Sequence, residues 1–253
     1  MAGDLTRLQM TTEVTNVVGK SLSASAVSGA TLQTRVQTYY INWAQRRLAR
    51  AFDFHELNAV QESAATVADV KRYPMVTGTN NLGLTRPKDI HSIKVIDSAN
   101  SRTLRRYSPR WFQKKFPRPE NFTTGRPDIY TRWINSLDFM RIPDAVYTLH
   151  IWYPQWPTVL TADSQLSDFE QKDELLVTLT VMETYLALEE YQDAAVWAAK
   201  AKGMLIDAIN VQGDMDWEPT AEPFRIGGEI VSGTTWTDPA GVSGDLLYGG
   251  NHE

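Results

Sequence analysis

Apolar residues recur at helical spacing near both ends of the chain and at every second position through its middle. Asp4 to Val18 places Leu5, Leu8, Val14 and Val17 close to one helical face, and Gly19 is positioned to end that helix. Ser21 to Gly29 is small and polar, which predicts a loop or linker. Thr31 to Phe54 predicts a longer helix. Its stripe runs Leu32, Val36, Tyr40, Trp43, Arg47 and Ala51, widened by Ile41, Ala44 and Leu48. Thr31 is its N-cap candidate, and Arg46, Arg47 and Arg50 suit the negative end of the helix dipole.

From Leu57 to Tyr107 the period shortens. Val60, Val67 and Val70 lie in short β-branched stretches, and Tyr73-Pro74 stops one of them. Ile90 to Asp97 predicts a strand with Ile93 and Val95 on one face and Ser92 and Lys94 on the other. Ser98 to Ser101 is a turn, and Arg102 to Tyr107 a return strand. Pro109 to Phe116 predicts a short helix with Pro109 at its first position. Thr124 to Leu160 then predicts three strands. The first carries Ile129, Thr131 and Trp133 against Tyr130 and Arg132, Asn135-Ser136 turns the chain, and Leu137 and Phe139 begin the return. The third spans Val146 to Tyr153, with Tyr147, Leu149, Ile151 and Tyr153 on a face directed at a core.

Beyond Asp163 the helical period resumes. Ser167 and Glu170 have capping-box spacing, and Phe169, Leu176, Leu179, Met182 and Leu186 mark one stripe. A second helix, Tyr191 to Val211, offers Ala194, Ala195, Ala198 and Ala201 for close packing and is closed by Gly213. The two helices predict an antiparallel hairpin. The fold class is α+β: an antiparallel helical bundle with an inserted antiparallel β domain and an extended C-terminal arm. The divisions are N-terminal helices (1–56), β domain (57–160), helical hairpin (161–213) and arm (214–253).

Composition adds bounds. The chain has 253 residues, 42% of them apolar and 22% charged, enough for a substantial core. It has no cysteine, which removes disulfides and thiolate metal sites. Neither a signal-peptide pattern nor an apolar run of membrane-spanning length occurs. The net charge of −5 conceals a gradient: residues 1–162 carry +9 and residues 163–253 carry −14. A bipolar subunit of this kind attracts its neighbours head to tail over short range.

Catalytic patterns are missing from the sequence. His55, His91, His150 and His252 lack zinc-ligand spacing, and neither a nucleophile elbow nor a phosphate loop occurs. The carboxylates of Asp214, Asp216 and Glu218 lack the spacing of a calcium loop. No cofactor or metal is expected.

The order of parts resembles the head–tail connector adaptors, or head-completion proteins, of tailed bacteriophages. The resemblance covers about residues 4–211. It rests on AFDFHEL at the end of the second helix (Ala51 to Leu57), the Tyr73-Pro74 break, Gly125-x-Pro127-x-x-Tyr130, and IPDAVYTLHIWYPQWP (Ile142 to Pro157) before a helical hairpin. It implies a non-enzymatic virion protein, assembled in the host cytoplasm. The implied assembly is a ring, expected to be a dodecamer, beneath the portal. Such a ring extends the DNA channel and gives tail or nozzle proteins a platform, without membrane involvement.

Two groups of residues are candidates for contact. Arg102, Arg105, Arg106, Arg110, Lys114, Lys115 and Arg118 form a run with no acid, interleaved with Tyr107, Trp111, Phe112 and Phe116. Three readings are open: contact with a neighbouring subunit, portal or tail protein; DNA contact through phosphates and stacking; or a solvated basic face over core aromatics. The arm offers Trp217, Phe224, Trp236 and Tyr248 as anchors for docking on a partner. A nucleic-acid-binding module is the alternative function. A virion-associated hydrolase is a weaker one, since no carboxylate pair stands out.

Overall fold

The structure is a computed structural model. It describes residues 5–19, 26–27, 30–96, 101–215, 224–226 and 229–231. The chain divides into two compact units, Met1–Ile209 and Asn210–Glu253.

In the first unit, helix α1 (Arg7–Val18) starts at a capping box formed by Thr6 and Gln9 and ends at Gly19, whose φ of 66° suits a residue without a Cβ. A two-residue ladder pairs β1 (Ala26–Val27) with β2 (Ala30–Thr31). Helix α2 (Leu32–Arg35) is capped by the Thr31 hydroxyl, which accepts from Thr34 N–H. It passes through a π-helical turn, Val36–Tyr40, into α3 (Ile41–Ala51).

That turn corrects the predicted stripe. Leu32, Val36 and Tyr40 are buried as expected, but Trp43 is 44% exposed, while Arg47 and Ala51 also face outward. The wider turn takes one extra residue and so rotates everything after it by about 100° relative to an uninterrupted α-helix. Ile41, Ala44 and Leu48 therefore carry the stripe onward, and Asn42 and Gln45 are drawn inside. Asn42 Nδ2 donates to Leu160 O at 3.2 Å while its Oδ1 accepts from Leu160 N–H at 2.8 Å.

The strands form two four-stranded sheets. One has the order β3 (Asn58–Ala65), β10 (Thr148–Pro154), β5 (Ser92–Ile96), β6 (Arg102–Thr103), with every pair antiparallel. The other has the order β4 (Arg72–Pro74), β9 (Ser136–Met140), β8 (Ile129–Trp133), β7 (Arg105–Tyr107). Pro74 sits on an edge strand, where its missing N–H costs no ladder bond.

Three expectations change here. The predicted strand Arg102 to Tyr107 divides at buried Leu104: β6 pairs with β5, and β7 pairs with β8 in the other sheet. The β7–β8 pair is parallel, so the strands are not all antiparallel. The third strand, β10, whose sheet neighbours the sequence left open, lies at an inner position of the first sheet. Its predicted core face holds, with Leu149 and Ile151 fully buried and Tyr153 nearly so. The β8–β9 hairpin turns at Ile134-Asn135, one residue earlier than predicted, leaving Ile134 86% exposed.

Helix α4 (Pro109–Lys115) begins with Ser108 as N-cap and Pro109 in the first turn. Helix α5 (Asp173–Ala187) begins well after Ser167, which is not its cap. The Ser167 hydroxyl is instead buried, donating to Phe169 O at 3.1 Å and lying 3.4 Å from Asp173 Oδ1, so the capping-box pair serves a loop. Nearly every face of α5 is covered, but Leu186 is 41% exposed. Helix α6 (Tyr191–Met215) continues through Gly213, a tolerated cost of about 1 kcal/mol.

Two hydrophobic clusters result. One joins α1, α2, α3 and α5 with Ala201 of α6 and includes Phe54, Leu57, Leu160 and Phe169. The other lies in the sheets around Tyr73, Tyr130, Phe139, Leu149 and Ile151. Polar ties link the segments that build them. Lys88 reaches Asp53 Oδ1 at 2.6 Å and also the carbonyl of Ala49. Lys172 pairs with Glu56. In the second unit, β11 (Phe224–Ile226) pairs antiparallel with β12 (Glu229–Val231).

Candidate interaction surface

The basic run is folded into three pieces by the Leu104 switch and the Ser108 cap. Its first cations are committed to carboxylates. Arg102 Nη1 lies 2.8 Å from Asp128 Oδ1. Arg106 Nη1 donates to Asp89 Oδ2 at 3.0 Å and to Ile90 O at 3.2 Å. Arg132 Nη1 holds the other oxygen of Asp89 at 2.5 Å and donates to Lys88 O at 2.9 Å. Burial alone would push the Asp89 carboxyl up, but its hydrogen bonds and the charge of Arg106 outweigh that and hold it below the usual range. The hydrogen bond to Asp89 raises Arg106 in turn. Below these two guanidinium groups, Tyr107, Ser108 and Pro109 line an open depression of about 400 Å³. Asp89 offsets only one of the two guanidinium charges, but both groups already donate to it and to the carbonyls of Ile90 and Lys88, which fixes where they point.

The other cations of the run differ. Arg105, Arg110, Lys114 and Lys115 are exposed, and among the described residues none has a carboxylate within ion-pair distance. Arg118 is also exposed, and its charge helps to lower Glu120, whose main stabilising partner is Lys71. Helix α4 therefore presents uncompensated positive charge at its C-terminal end, where the helix dipole favours cations.

The interleaved aromatics make a continuous ladder. Tyr107 stacks on Trp111 with centroids 4.0 Å apart and planes at 14°. Trp111 meets Phe116 edge-on at 5.9 Å, and Phe116 meets Phe112 at 5.6 Å and Phe122 at 5.4 Å. Phe112 is buried beneath the helix, whereas Trp111 is 38% and Phe122 44% exposed. Phe122 was not among the sequence candidates. It lies beyond the basic run in a Pro-rich connection and reaches the ladder only through the fold. The core-aromatic reading thus fits Phe112 but not Trp111.

Of the proposed arm anchors, Trp217, Trp236 and Tyr248 lie outside the described residues. Phe224 belongs to β11, opposite Val231. Asp214 is within α6, and Asp216 and Glu218 lie outside the described residues. His55 Nδ1 is 3.7 Å from Glu56 Oε2, His91 Nε2 is 3.3 Å from Asn58 Oδ1, and His150 faces the Trp152 ring; His252 lies outside the described residues. Among the described residues no group of three or more His, Asp or Glu side chains converges on a metal position, and no helix is long and apolar enough to cross a membrane.

The arrangement is therefore a charged, partly aromatic exposed face on an α+β scaffold. No curated protein matches the sequence significantly. The family model for the SU10 adaptor protein matches residues 8–225, which spans both hydrophobic clusters. The chain belongs to the SU10 adaptor protein family, a family of phage structural adaptors.

Proposed function

We propose that the chain is a head-completion protein of a phage neck, forming a ring beneath the portal. The ring, expected to be a dodecamer, extends the DNA channel and presents a platform for tail or nozzle proteins. The observation that carries this reading is the adaptor-family match across residues 8–225. In this reading the two helical stretches (1–56 and 161–213) and the strands between them (57–160) divide the contacts with neighbours, portal and tail. The arm (214–253) docks on a partner through Trp217, Phe224, Trp236 and Tyr248. The protein works in the virion by positioning surfaces rather than by catalysis.

Imaging of the purified chain mixed with its cognate portal tests the reading. Ring density added to one end of the portal is expected. A chain that stays monomeric and never joins the portal overturns it.

A second reading, a nucleic-acid-binding module, is favoured by the four exposed cations that have no carboxylate partner among the described residues. The Tyr107–Trp111 stack weighs against it, because each ring already gives one face to the other. Lack of retention on DNA at low salt would remove this reading.

A further inference from the structure

We propose that the α4 face of one copy docks on the turn between α5 and α6 of a second copy, in a head-to-tail contact. This rests on the reading of the chain as a ring subunit and names the surfaces that would join.

The first surface combines Arg110, Lys114 and Lys115 with the exposed rings of Trp111 and Phe122. A face built only for solvation gains nothing from two exposed aromatics set in a rigid ladder. A contact surface does, since such rings supply apolar area at low entropic cost.

The complement occurs on the same chain. From Asp173 to Ala199 there are six carboxylates and no base. Asp173 accepts from Leu5 N–H, Glu174 pairs with Lys200, and Glu183 pairs with Arg47. Glu189 and Asp193, at the turn, are exposed and have no cation within ion-pair distance among the described residues. Glu189 has a φ of 63°, which fixes the sharp reversal there. Beside them Tyr191 is 66% and Val196 68% exposed. Free cations with aromatics thus match free carboxylates with apolar side chains.

The two surfaces belong to different parts of the first unit. Helix α4 packs on β8, whereas α5 and α6 contribute to the helical cluster. Joining unlike faces of successive copies is a heterologous contact, and it closes into a ring when the rotation per copy divides a full turn. Opposite charge would set the orientation and speed of encounter, and the apolar side chains would hold the contact once water is excluded.

The chain has no cysteine, so full-length single-cysteine variants can be cross-linked without ambiguity. Lys114→Cys mixed with Asp193→Cys under mild oxidant is expected to give a covalent dimer at least about tenfold above either variant alone, because a formed contact raises effective concentration. In parallel, Lys114→Glu with Lys115→Glu, and separately Glu189→Lys with Asp193→Lys, are expected to lower the mass of the assembly in light scattering. Combining all four reversals in one chain should restore it. A mixed cross-link no stronger than the single-variant background overturns the proposal, as does loss of assembly that the combined reversal fails to restore. Rings that persist in every variant sink this interface and leave the ring reading standing. If the mixed cysteine variants do not cross-link while the wild-type chain still joins the portal as a ring, only this contact is sunk; failure of the wild-type chain at the portal as well overturns both. Reversals that abolish retention on DNA while leaving the assembly mass unchanged assign α4 to nucleic acid and overturn the proposal. All the substituted side chains are exposed, and the cysteine pair gives an independent answer if a charge-reversed variant fails to fold.

Discussion

Asp138 concentrates three hydrogen bonds on one buried carboxylate. Arg72 donates to both of its oxygens at 2.7 Å, and the Trp133 indole donates to Oδ2 at 3.0 Å. Asp138→Ala strands these donors at the edge of the second sheet. A loss of about 2 kcal/mol is expected in urea unfolding, moderated by the exposure of Arg72. Glu56 gives a pH-dependent counterpart. Burial pushes its carboxyl up, yet the hydrogen bonds and the Lys172 charge prevail and hold it below its ordinary value of 4.5. A carboxyl depressed by folding adds stability above its unfolded pKa and loses it as pH falls through the folded one. Stability is therefore expected to drop below about pH 4.5, and Glu56→Gln should flatten part of that drop in urea midpoints measured from about pH 7 to about pH 3. Tyr130 acts at the other extreme. Burial pushes its phenol up to about 12, so the fold keeps a proton that the unfolded chain releases near pH 10, and stability falls between those values. Tyr130→Phe should remove that alkaline component.

The sequence shows the elements of this fold more clearly than the way they join. The Gly19 end of α1, the Thr31 cap, Pro109 at the start of α4 and the buried face of β10 are local properties, set by backbone preference, a hydrogen-bonding side chain or period, and were legible from the residues alone. The π-helical turn was not. Val36–Tyr40 carries no glycine or proline, and its only trace is that two candidate stripes, one through Trp43 and Arg47 and one through Ile41, Ala44 and Leu48, compete after it. Deleting Thr38 should turn that segment into ordinary α-helix and rotate α3, burying Arg47 and exposing Leu48. Loss of cooperative thermal unfolding by circular dichroism is expected, whereas Thr38→Ala should have little effect. Ser167 misled for a related reason: its spacing to Glu170 matches a helix start, but its hydroxyl is used within a buried loop. In the basic run the sequence located the charges but not their partners, since Asp89 lies 17 residues from Arg106 and Asp128 lies 26 from Arg102, and the pairs meet only through the fold.

At the scale of the whole molecule, charge and core are separately placed. Attraction between unlike faces weakens as salt shortens the screening length to about 3 Å at 1 M. Assembly mass in light scattering is therefore expected to fall as salt rises, with no loss of folded signal. A mass insensitive to salt would point to apolar contacts alone. Removal of residues 216–253 should leave the first unit's melting temperature unchanged, since both hydrophobic clusters lie within Met1–Ile209. The Leu104 switch has a mechanical consequence. Arg102–Thr103 is bonded into one sheet and Arg105–Tyr107 into the other, with a single residue between. An extended residue spans only about 3.3 Å, so this link leaves almost no slack. Shear of one sheet over the other must break a ladder before it can lengthen the link. Force applied along the chain at this point is shared between both sheets, and amide hydrogen exchange on β5 and β8 should report their opening as one event.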